Sequence, residues 1–230
     1  KARVQPSIDN PLSFNKVNVN GTLNLLNFSV KNSVKKFIFS SSSSVYGNTE
    51  TFPTSENSLL NPISPYALQK LVGEQYCKLF SELYGLKTVC LRYFNVYGDR
   101  MSLDGAYKTV IPIFTSQMLD KEPLTIRGDG EQRRDFTHVD DVVEANILAS
   151  LNQTMFDEKI KCRAFNIGNG KNISINELAK MFGGKIEKIK PVIEPMKTLA
   201  DNTKAKKILG WTPKNKIQHW LKTHIKRIKL

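Results

Sequence analysis

The sequence predicts an α/β fold built on a parallel sheet. Two short apolar runs, at residues 36–40 and 87–91, have strand character, and a long helical pattern at residues 64–86 separates them. The first run ends in a row of serines, and Tyr66 lies at the start of the helix. Ligands of open α/β sheets bind at the carboxyl ends of the strands. The sequence therefore predicts a ligand site where the serines and the start of this helix meet.

Each further element follows from local signals. Asn10 and Pro11 open a helix over residues 10–31, and Ser64 and Pro65 have the residue types of an N-cap and a first helical position. Gly85 ends the second helix. The other expected elements are helices at 107–119, 138–151, 174–181, 201–210 and 215–227 and strands at 124–126 and 164–167.

Composition limits the function classes. The chain has 230 residues, 40% hydrophobic and 24% charged, which is ordinary for a globular protein, and it has no apolar run of about 18 residues that could span a membrane. The net charge is +13, with lysines concentrated between 185 and 229. These lysines suggest either a surface for nucleic acid or a solvated, lysine-rich surface. We favour the solvated surface and expect no nucleic-acid or membrane partner, because no basic-aromatic reader motif occurs.

The cysteines and histidines give no sign of a metal site. The three cysteines are odd in number and far apart, and no C-x-x-C pair occurs. The three histidines are also scattered. We therefore expect reduced thiols in a cytoplasmic protein, and no metal.

Tyr66 and Lys70 form a candidate catalytic pair. At positions i and i+4 of a helix, both side chains project from one face. An ammonium there favours the ionised phenol and so lowers the tyrosine pKa towards neutrality. A hydroxyl from the serine run Ser40 to Ser44 would complete a proton-transfer group. The alternative is a chance pair on a helix surface.

Motifs along nearly the whole chain resemble one family in order. They are Asn18-Val19-Asn20-Gly21-Thr22, Phe39-Ser40-Ser41-Ser42, Val45-Tyr46-Gly47, Ser64-Pro65-Tyr66 with Lys70, Arg92-Tyr93-Phe94-Asn95, Gly128-Asp129-Gly130, Arg134-Asp135-Phe136, His138-Val139-Asp140-Asp141-Val142, Phe165-Asn166-Ile167-Gly168, and Ala200-Asp201 with Lys204-Ala205. The chain thereby resembles the extended short-chain dehydrogenase/reductase family, and within it the NAD-dependent nucleotide-sugar 4-epimerases.

The resemblance implies a Rossmann-like, doubly wound parallel sheet with a smaller α+β substrate lobe. Residues 1–98 would form the C-terminal part of the NAD-binding domain. Residues 99–230 would form the substrate lobe, with 135–167 returning to the first domain. The family's glycine-rich phosphate loop would lie upstream of Lys1, since no G-x-x-G-x-x-G pattern occurs. We therefore expect a truncated chain that lacks N-terminal strands and is inactive without that loop.

The resemblance also assigns site residues. It implies Ser42, Tyr66 and Lys70 as the catalytic residues. The implied NAD contacts are Asn18, Ser40, Ser41, Tyr66, Lys70, Tyr93 and Phe94, with Asn18 supporting the site from behind or bonding only its own backbone neighbours. Related dehydratases carry Asp-Glu at the positions of Ser43 and Ser44, and decarboxylases carry Glu at Ser44. Hydroxyls there indicate oxidation and re-reduction without elimination.

The implied substrate is a UDP-sugar. Its expected contacts are Ser42, Ser43, Asn95, Val110, Leu124, Thr125, Ile126, Arg134, Glu194 and Thr198. Arg134 would bind phosphate, with Arg133 a less favoured substitute, and Asp135 would be structural. Pro191 stands where the family has a second arginine, which Lys188 or Lys190 could partly replace. Gly105-Ala106-Tyr107 and the small Thr198, where glucose-restricted relatives carry Tyr, favour a substrate with an N-acetyl group.

The expected activity is UDP-hexose 4-epimerisation by transient oxidation at C4, on UDP-glucose/UDP-galactose or UDP-GlcNAc/UDP-GalNAc. The alternatives on the same scaffold are a UDP-glucuronate 4-epimerase and a nucleotide-sugar reductase. An alternative of another class is a non-catalytic protein that binds through its basic surface. The resemblance further implies a homodimer through two helices, one of which carries Tyr66 and Lys70.

Overall fold

The computed structural model describes residues 1–103, 108–156, 162–192 and 194–228. The first part of the chain contains α1 (Val4–Asp9), α2 (Pro11–Asn15), α3 (Gly21–Lys31), β1 (Lys36–Ser42), α4 (Pro65–Tyr84), β2 (Lys87–Tyr93) and β3 (Val96–Tyr97). The second part contains α5 (Val110–Leu119), β4 (Leu124–Arg127), β5 (Arg133–Asp135), β6 (Thr137–His138), α6 (Val139–Leu151), β7 (Cys162–Ile167), β8 (Asn172–Ser174), α7 (Ile175–Phe182), β9 (Ile186–Ile189) and α8 (Ile217–Ile228).

The main sheet is parallel, as predicted, with the order β1-β2-β7. Its register pairs Ser42 with Tyr93 and Tyr93 with Ile167, so the three strands end at the same edge. Three smaller pairs lie outside it: β3 with β6 and β4 with β9, both parallel, and β5 with β8, which is antiparallel. The α/β prediction with a parallel sheet is therefore confirmed.

Helices cover both faces of this sheet. Cys90 of β2 packs in a cluster with residues of α3 and α4, whereas Val89 and Leu91 pack on the opposite face against α6 and β7. Successive residues of a strand point to opposite faces, so this alternation shows a sheet buried on both sides. Trp211 also packs on the α6 face, which brings the C-terminal part of the chain back to the sheet.

A glycine sets how closely α4 approaches the sheet. A Cβ at Gly73 would lie 2.3 Å from the ring of Phe39 in β1, so only glycine fits at this distance. Gly85, with φ 71°, ends the helix in the left-handed conformation, as its position in the sequence predicted. The helix and the serine-bearing strand are thereby held in direct contact.

A second core lies between α5, α7, α8 and the short strands. It includes Ile111, Phe114, Leu178 and Trp220, all buried. This core corresponds to the expected smaller lobe, while the boundary at residues 98/99 and the return of 135–167 stay predictions. Among the described residues, no helix is both long enough and apolar enough to cross a membrane.

Several element boundaries differ from the predicted ones. The predicted helix at 10–31 contains a π-helical turn at Lys16–Asn20, and the segment predicted as a helix at 201–210 is mainly a π-helical turn at Ala205–Leu209. The strand predicted at 36–40 continues to Ser42. The predicted start of the helix at 107 lies outside the described residues, and α5 begins at Val110.

Candidate active site

The carboxyl end of β1 places the serine row beside the start of α4. Ser42 is the last residue of β1, and its Oγ accepts a hydrogen bond from the backbone N–H of Ser44 at 3.2 Å. This bond caps a short 3₁₀ turn at Ser43–Tyr46. Ser64 caps α4 in the predicted way, because its Oγ accepts from the backbone N–H of Ala67 at 3.2 Å.

Tyr66 and Lys70 lie together in the first turns of α4. Lys70 Nζ is 5.8 Å from the centre of the Tyr66 ring and donates a hydrogen bond to the carbonyl oxygen of Ser40 at 2.8 Å. The hydroxyl of Ser42 also acts on Tyr66, since its presence lowers the pKa of the phenol. The structure therefore brings the three predicted catalytic residues into one group at the edge of the sheet. Their chemical roles stay predictions.

The electrostatics of the group differ from the expectation. Burial raises the pKa of Tyr66 above its ordinary value, and the neighbouring Ser42 hydroxyl lowers it only in part. Burial also lowers the pKa of Lys70. In the chain by itself the pKa of Tyr66 is therefore raised and not brought towards neutrality, because the desolvation of the phenol outweighs the effect of Ser42.

A buried ion pair lies directly beneath the serine row. Arg92 of β2 donates to both carboxylate oxygens of Glu74 in α4, at 2.9 and 2.6 Å, and both side chains are buried. Ser41 also donates to Glu74, and Arg92 donates to the hydroxyl of Tyr46 at 2.8 Å. Tyr46 in turn donates to Asn166 Oδ1 at 2.6 Å. Removing one partner of such a pair typically costs about 3–5 kcal/mol, so the network fixes the edge of the sheet.

The residues implied in NAD binding fall into two groups. Ser40 is exposed and its Oγ is 3.2 Å from Tyr93 Oη, while Tyr93 donates to Asn146 Oδ1 at 3.0 Å. Asn18, Ser41 and Phe94 are buried instead. The burial of Ser41 and Phe94 leaves their side chains little surface for a ligand, and the cofactor role of each residue stays a prediction.

Asn18 bonds across to the catalytic helix. Its Nδ2 donates to Gln69 Oε1 at 3.0 Å, so the side chain does not bond only its own backbone neighbours. Gln69 lies one residue before Lys70 in α4. This contact is consistent with the supporting position that the resemblance implies.

The group fits the ribose end of a nicotinamide dinucleotide. An ammonium has three N–H donors, and Lys70 uses one of them for the Ser40 carbonyl oxygen. The remaining donors and the Tyr66 hydroxyl suit the hydroxyl groups of a ribose. This part of the site could therefore hold NAD.

Asn95 and Thr198 form the centre of the predicted substrate contacts. Asn95 has a positive φ of 28°, and its Nδ2 donates to the Asp135 carbonyl oxygen at 3.1 Å and to Thr198 Oγ1 at 3.0 Å. Thr198 Oγ1 also accepts from the backbone N–H of Asp135 at 3.0 Å. Both N–H groups of the Asn95 amide are thus used, and only its carbonyl oxygen is left for a ligand.

Arg134 and Glu194 are paired with each other. Their side chains meet at 2.7 Å, and Gln132 also donates to Glu194 at 3.4 Å. The neighbouring Arg133 instead contacts Asn172 and Glu177. A phosphate that binds Arg134 would therefore either share the guanidinium with the Glu194 carboxylate or displace that carboxylate.

The remaining predicted contacts line the smaller lobe less directly. Leu124 and Ile126 are buried in its core, so a ligand could reach them only through the backbone, and Thr125 Oγ1 accepts from Gln117 at 2.8 Å. Val110 packs against the same core and Ser43 begins the 3₁₀ turn. Lys188 and Lys190 are exposed. The motif Gly105-Ala106-Tyr107 lies outside the described residues.

Glu74 is the residue that sequence reasoning missed. It lies in the middle of α4, 18 positions before Arg92. No local signal in the sequence marks it as the shared partner of Ser41 and Arg92. The three cysteines also converge, although they are distant in sequence: Cys77 and Cys90 are buried in one cluster and Cys162 packs against it. Across the described ranges, no group of three or more His, Cys, Asp or Glu is arranged to hold a metal ion.

The fold and the site together define an α/β protein with a Ser-Tyr-Lys group at the carboxyl edge of a parallel sheet. Residues 1–168 match the model of the NAD dependent epimerase/dehydratase family. The chain belongs to this family, and the predicted resemblance and the Rossmann-like fold class are confirmed.

Known proteins of similar sequence and structure include sugar-nucleotide epimerases. A UDP-glucose 4-epimerase of Mycolicibacterium smegmatis is 35% identical over 218 residues, which cover 91% of this chain and 67% of the relative. The structure of the UDP-glucose 4-epimerase of Thermotoga maritima with UDP-glucose matches at a TM-score of 0.92 and 39% identity, covering 100% of this chain and 74% of that one. A UDP-N-acetylglucosamine 4-epimerase of Methanobrevibacter ruminantium, in complex with UDP-N-acetylmuramic acid, matches at 0.89 and 36% identity, covering 98% and 73%.

Proposed function

We propose that this chain catalyses NAD-dependent 4-epimerisation of a UDP-hexose by transient oxidation at C4. The observation that carries the proposal is the meeting of Ser42, Tyr66 and Lys70 at the carboxyl edge of the sheet, in a chain of the epimerase/dehydratase family. A reductase and a uronate epimerase would use the same three residues. Only assays with different substrates can therefore distinguish these activities.

In this proposal Tyr66 takes the proton of the sugar 4-hydroxyl as a phenolate and returns it at the end of the cycle. NAD, when bound, supplies the acceptor and then the donor of the C4 hydride. Between the two transfers the substrate is a 4-keto sugar. Lys70 holds a fixed positive charge beside the phenol, 5.8 Å from its ring centre. Because burial raises the pKa of Tyr66 in the chain alone, the phenolate needs further positive charge, which an oxidised nicotinamide carries.

The substrate lobe supplies binding rather than acid chemistry. Arg134 offers a planar, permanently charged fork for the pyrophosphate. Ser43 and Ser44 carry hydroxyls that cannot act as acids at neutral pH, so we propose no elimination step. Thr198 is smaller than the tyrosine that glucose-restricted relatives carry, and we therefore include UDP-GlcNAc beside UDP-glucose among the substrates.

The decisive experiment uses the complete gene product that contains this chain. Tyr66→Phe should lose at least about a hundredfold in kcat, since a positioned acid-base group contributes roughly 10²–10⁴-fold, and should keep its affinity for UDP-sugar. Tyr84→Phe, at the exposed end of the same helix, is the matched control and should keep wild-type activity. Wild-type turnover in Tyr66→Phe would refute the proposal.

Assays with UDP-glucose, UDP-GlcNAc and UDP-glucuronate side by side identify the substrate. Epimerisation of the first or second substrate supports the proposal. Turnover of UDP-glucuronate alone would identify a uronate epimerase, and net consumption of added NADH would identify a reductase.

We further propose a homodimer in the cytoplasm. Leu25 and Phe28 of α3 and Leu79 and Leu83 of α4 are exposed, although these two helices pack against each other. Such neighbouring apolar residues suit the same surface of a second copy. Reducing conditions in the cytoplasm would keep the three free thiols unpaired.

A further inference from the structure

The side chain of Asn146 in α6 holds the Tyr93 hydroxyl with two hydrogen bonds. Tyr93 Oη donates to Asn146 Oδ1 at 3.0 Å, and Asn146 Nδ2 donates to Tyr93 Oη at 2.9 Å. Nδ2 also donates to the carbonyl oxygen of Val142, one turn earlier in α6, at 2.8 Å. Since a carbonyl oxygen can only accept, this last bond decides which end of the amide is the nitrogen. The orientation of the Asn146 side chain is thereby fixed.

The Tyr93 hydroxyl in turn contacts the end of β1. Its Oη lies 3.2 Å from Ser40 Oγ, and the carbonyl oxygen of the same serine accepts from Lys70 Nζ at 2.8 Å. Tyr93 is also the strand partner of Ser42 in the parallel register. A series of contacts therefore runs from α6, on one face of the sheet, through the carboxyl ends of β2 and β1 to Lys70 of α4, on the other face.

We propose that Asn146 is a positioning residue for the cofactor, because it fixes Tyr93 and Ser40 beside Lys70 as one preorganised surface for NAD. The proposal rests on the proposed function and deepens it. Ser40 is exposed and Tyr93 is half-buried, so both side chains have surface left for a ligand. Asn146 acts on the ligand through them. Side chains that are fixed before the ligand arrives lower the entropy cost of binding.

The loss of the amide would release this surface. Without Asn146, Tyr93 Oη would lose two of the three hydrogen bonds that join it to side chains of the described residues. The hydroxyls of Tyr93 and Ser40 could then turn to water, and NAD would have to order them on binding. Weaker cofactor binding is therefore the expected consequence.

Two substitutions interrupt the series at neighbouring points. Asn146→Ala removes the amide, and Tyr93→Phe removes the hydroxyl but keeps the ring. In the complete gene product, the affinity for NADH, measured from the fluorescence of NADH, should fall in each variant by roughly two- to tenfold, the usual effect of one hydrogen bond. Because Asn146 acts through the Tyr93 hydroxyl, the double variant should lose no more than either single variant.

The affinity for UDP separates positioning from a general structural role. It should stay unchanged in Asn146→Ala, because the predicted phosphate contact Arg134 belongs to another segment of the chain. Ser150→Ala is the matched control. Ser150 is an exposed polar residue of the same helix, and its hydroxyl donates to the carbonyl oxygen of Ile147. This variant should keep wild-type affinity for NADH.

Three results would overturn the proposal: an unchanged affinity for NADH in a folded Asn146→Ala protein, losses that multiply in the double variant, or an equal loss of affinity for UDP. If Asn146→Ala does not fold, Asn146→Asp keeps the size of the side chain without an N–H to donate and should weaken NADH binding in the same direction. A wild type that does not bind NADH would overturn the proposal as well.

NADH binding does not depend on turnover, so the proposed function is tested separately. A loss of NADH affinity in Asn146→Ala, in a protein whose wild type epimerises no UDP-hexose, would support the role of Asn146 and refute the proposed function.

Discussion

Asp135 ties together the loops that carry the predicted substrate contacts. Its carboxylate is fully buried and accepts from the backbone N–H groups of Asn169, Gly170 and Ala200 at 2.7–3.0 Å. Burial raises its pKa to about 6, although the three hydrogen bonds act in the opposite direction. The structural role predicted for Asp135 therefore makes the stability of the fold depend on pH.

Because the folded pKa is raised, the native state holds the Asp135 proton more tightly than the unfolded chain. The resulting stabilisation is complete below about pH 4 and is lost as the pH rises through about 6. A difference of about two pKa units corresponds to about 3 kcal/mol. We expect the free energy of unfolding of wild type, measured in urea, to fall between pH 4 and 6. Relative to Asp135→Asn, the fall should amount to as much as this value.

The exposed Asp9 provides the control for this measurement. Asp9→Asn should leave the change of stability between pH 4 and 6 as it is in wild type. A wild-type curve parallel to that of Asp135→Asn over this range would contradict the assignment.

At the same scale, the sequence could predict that Ser42, Tyr66 and Lys70 lie together but not the direction in which the pKa of Tyr66 moves. Tyr66 and Lys70 meet because four residues make about one helical turn, and Ser42 joins them because a parallel strand ends beside the start of the helix. The pKa of Tyr66 depends on how much water the fold removes, which spacing does not report. The sequence also could not predict the hydrogen bonds of Thr198 with Asn95 and Asp135, because these bonds join three segments that are distant in sequence.

Two helical glycines show how packing opposes helix propensity. Alanine is favoured over glycine in a helix by about 1 kcal/mol. At Gly21 an added Cβ would meet nothing within 4 Å, whereas at Gly73 it would lie 2.3 Å from the Phe39 ring. We expect Gly21→Ala to raise the free energy of unfolding by up to about 1 kcal/mol and Gly73→Ala to lower it by about 1–3 kcal/mol, the usual cost of overpacking.

Urea denaturation of both variants checks this pair of opposite signs, and each variant serves as the control of the other. Gly73→Ala should also reduce kcat, because α4 carries Tyr66 and Lys70 and must move away from β1. Equal changes in stability at the two positions would show that the contact between α4 and the sheet does not depend on Gly73.

Element types were more predictable than their boundaries and contacts. The capping residues Ser64 and Gly85 fixed the ends of α4 to within two residues, because a cap acts on its own backbone neighbours. The π-helical turn at Lys16–Asn20 has no such signal. The packing of Trp211 against the sheet was likewise invisible, since an aromatic residue predicts burial but not the surface that buries it.

At the scale of the whole molecule, the proposed homodimer depends on one apolar surface formed by α3 and α4. Leu25, Phe28, Leu79 and Leu83 are 46–69% exposed. They lie on two helices that contact each other and share a cluster in which Leu26 of α3 is fully buried. If a second copy covers this surface, a charge placed there loses its water without gaining a partner. Such a charge should prevent association.

The double variant Phe28→Glu/Leu79→Glu should therefore sediment as a monomer in analytical ultracentrifugation at concentrations where wild type is a dimer. Leu151→Glu is the matched control, because Leu151 is 68% exposed at the end of α6, on the other face of the sheet. It should leave the dimer intact. A monomeric Leu151→Glu beside a dimeric double variant would place the contact on α6 instead. A wild type that stays monomeric at all concentrations would mean that the apolar surface of α3 and α4 does not join two copies.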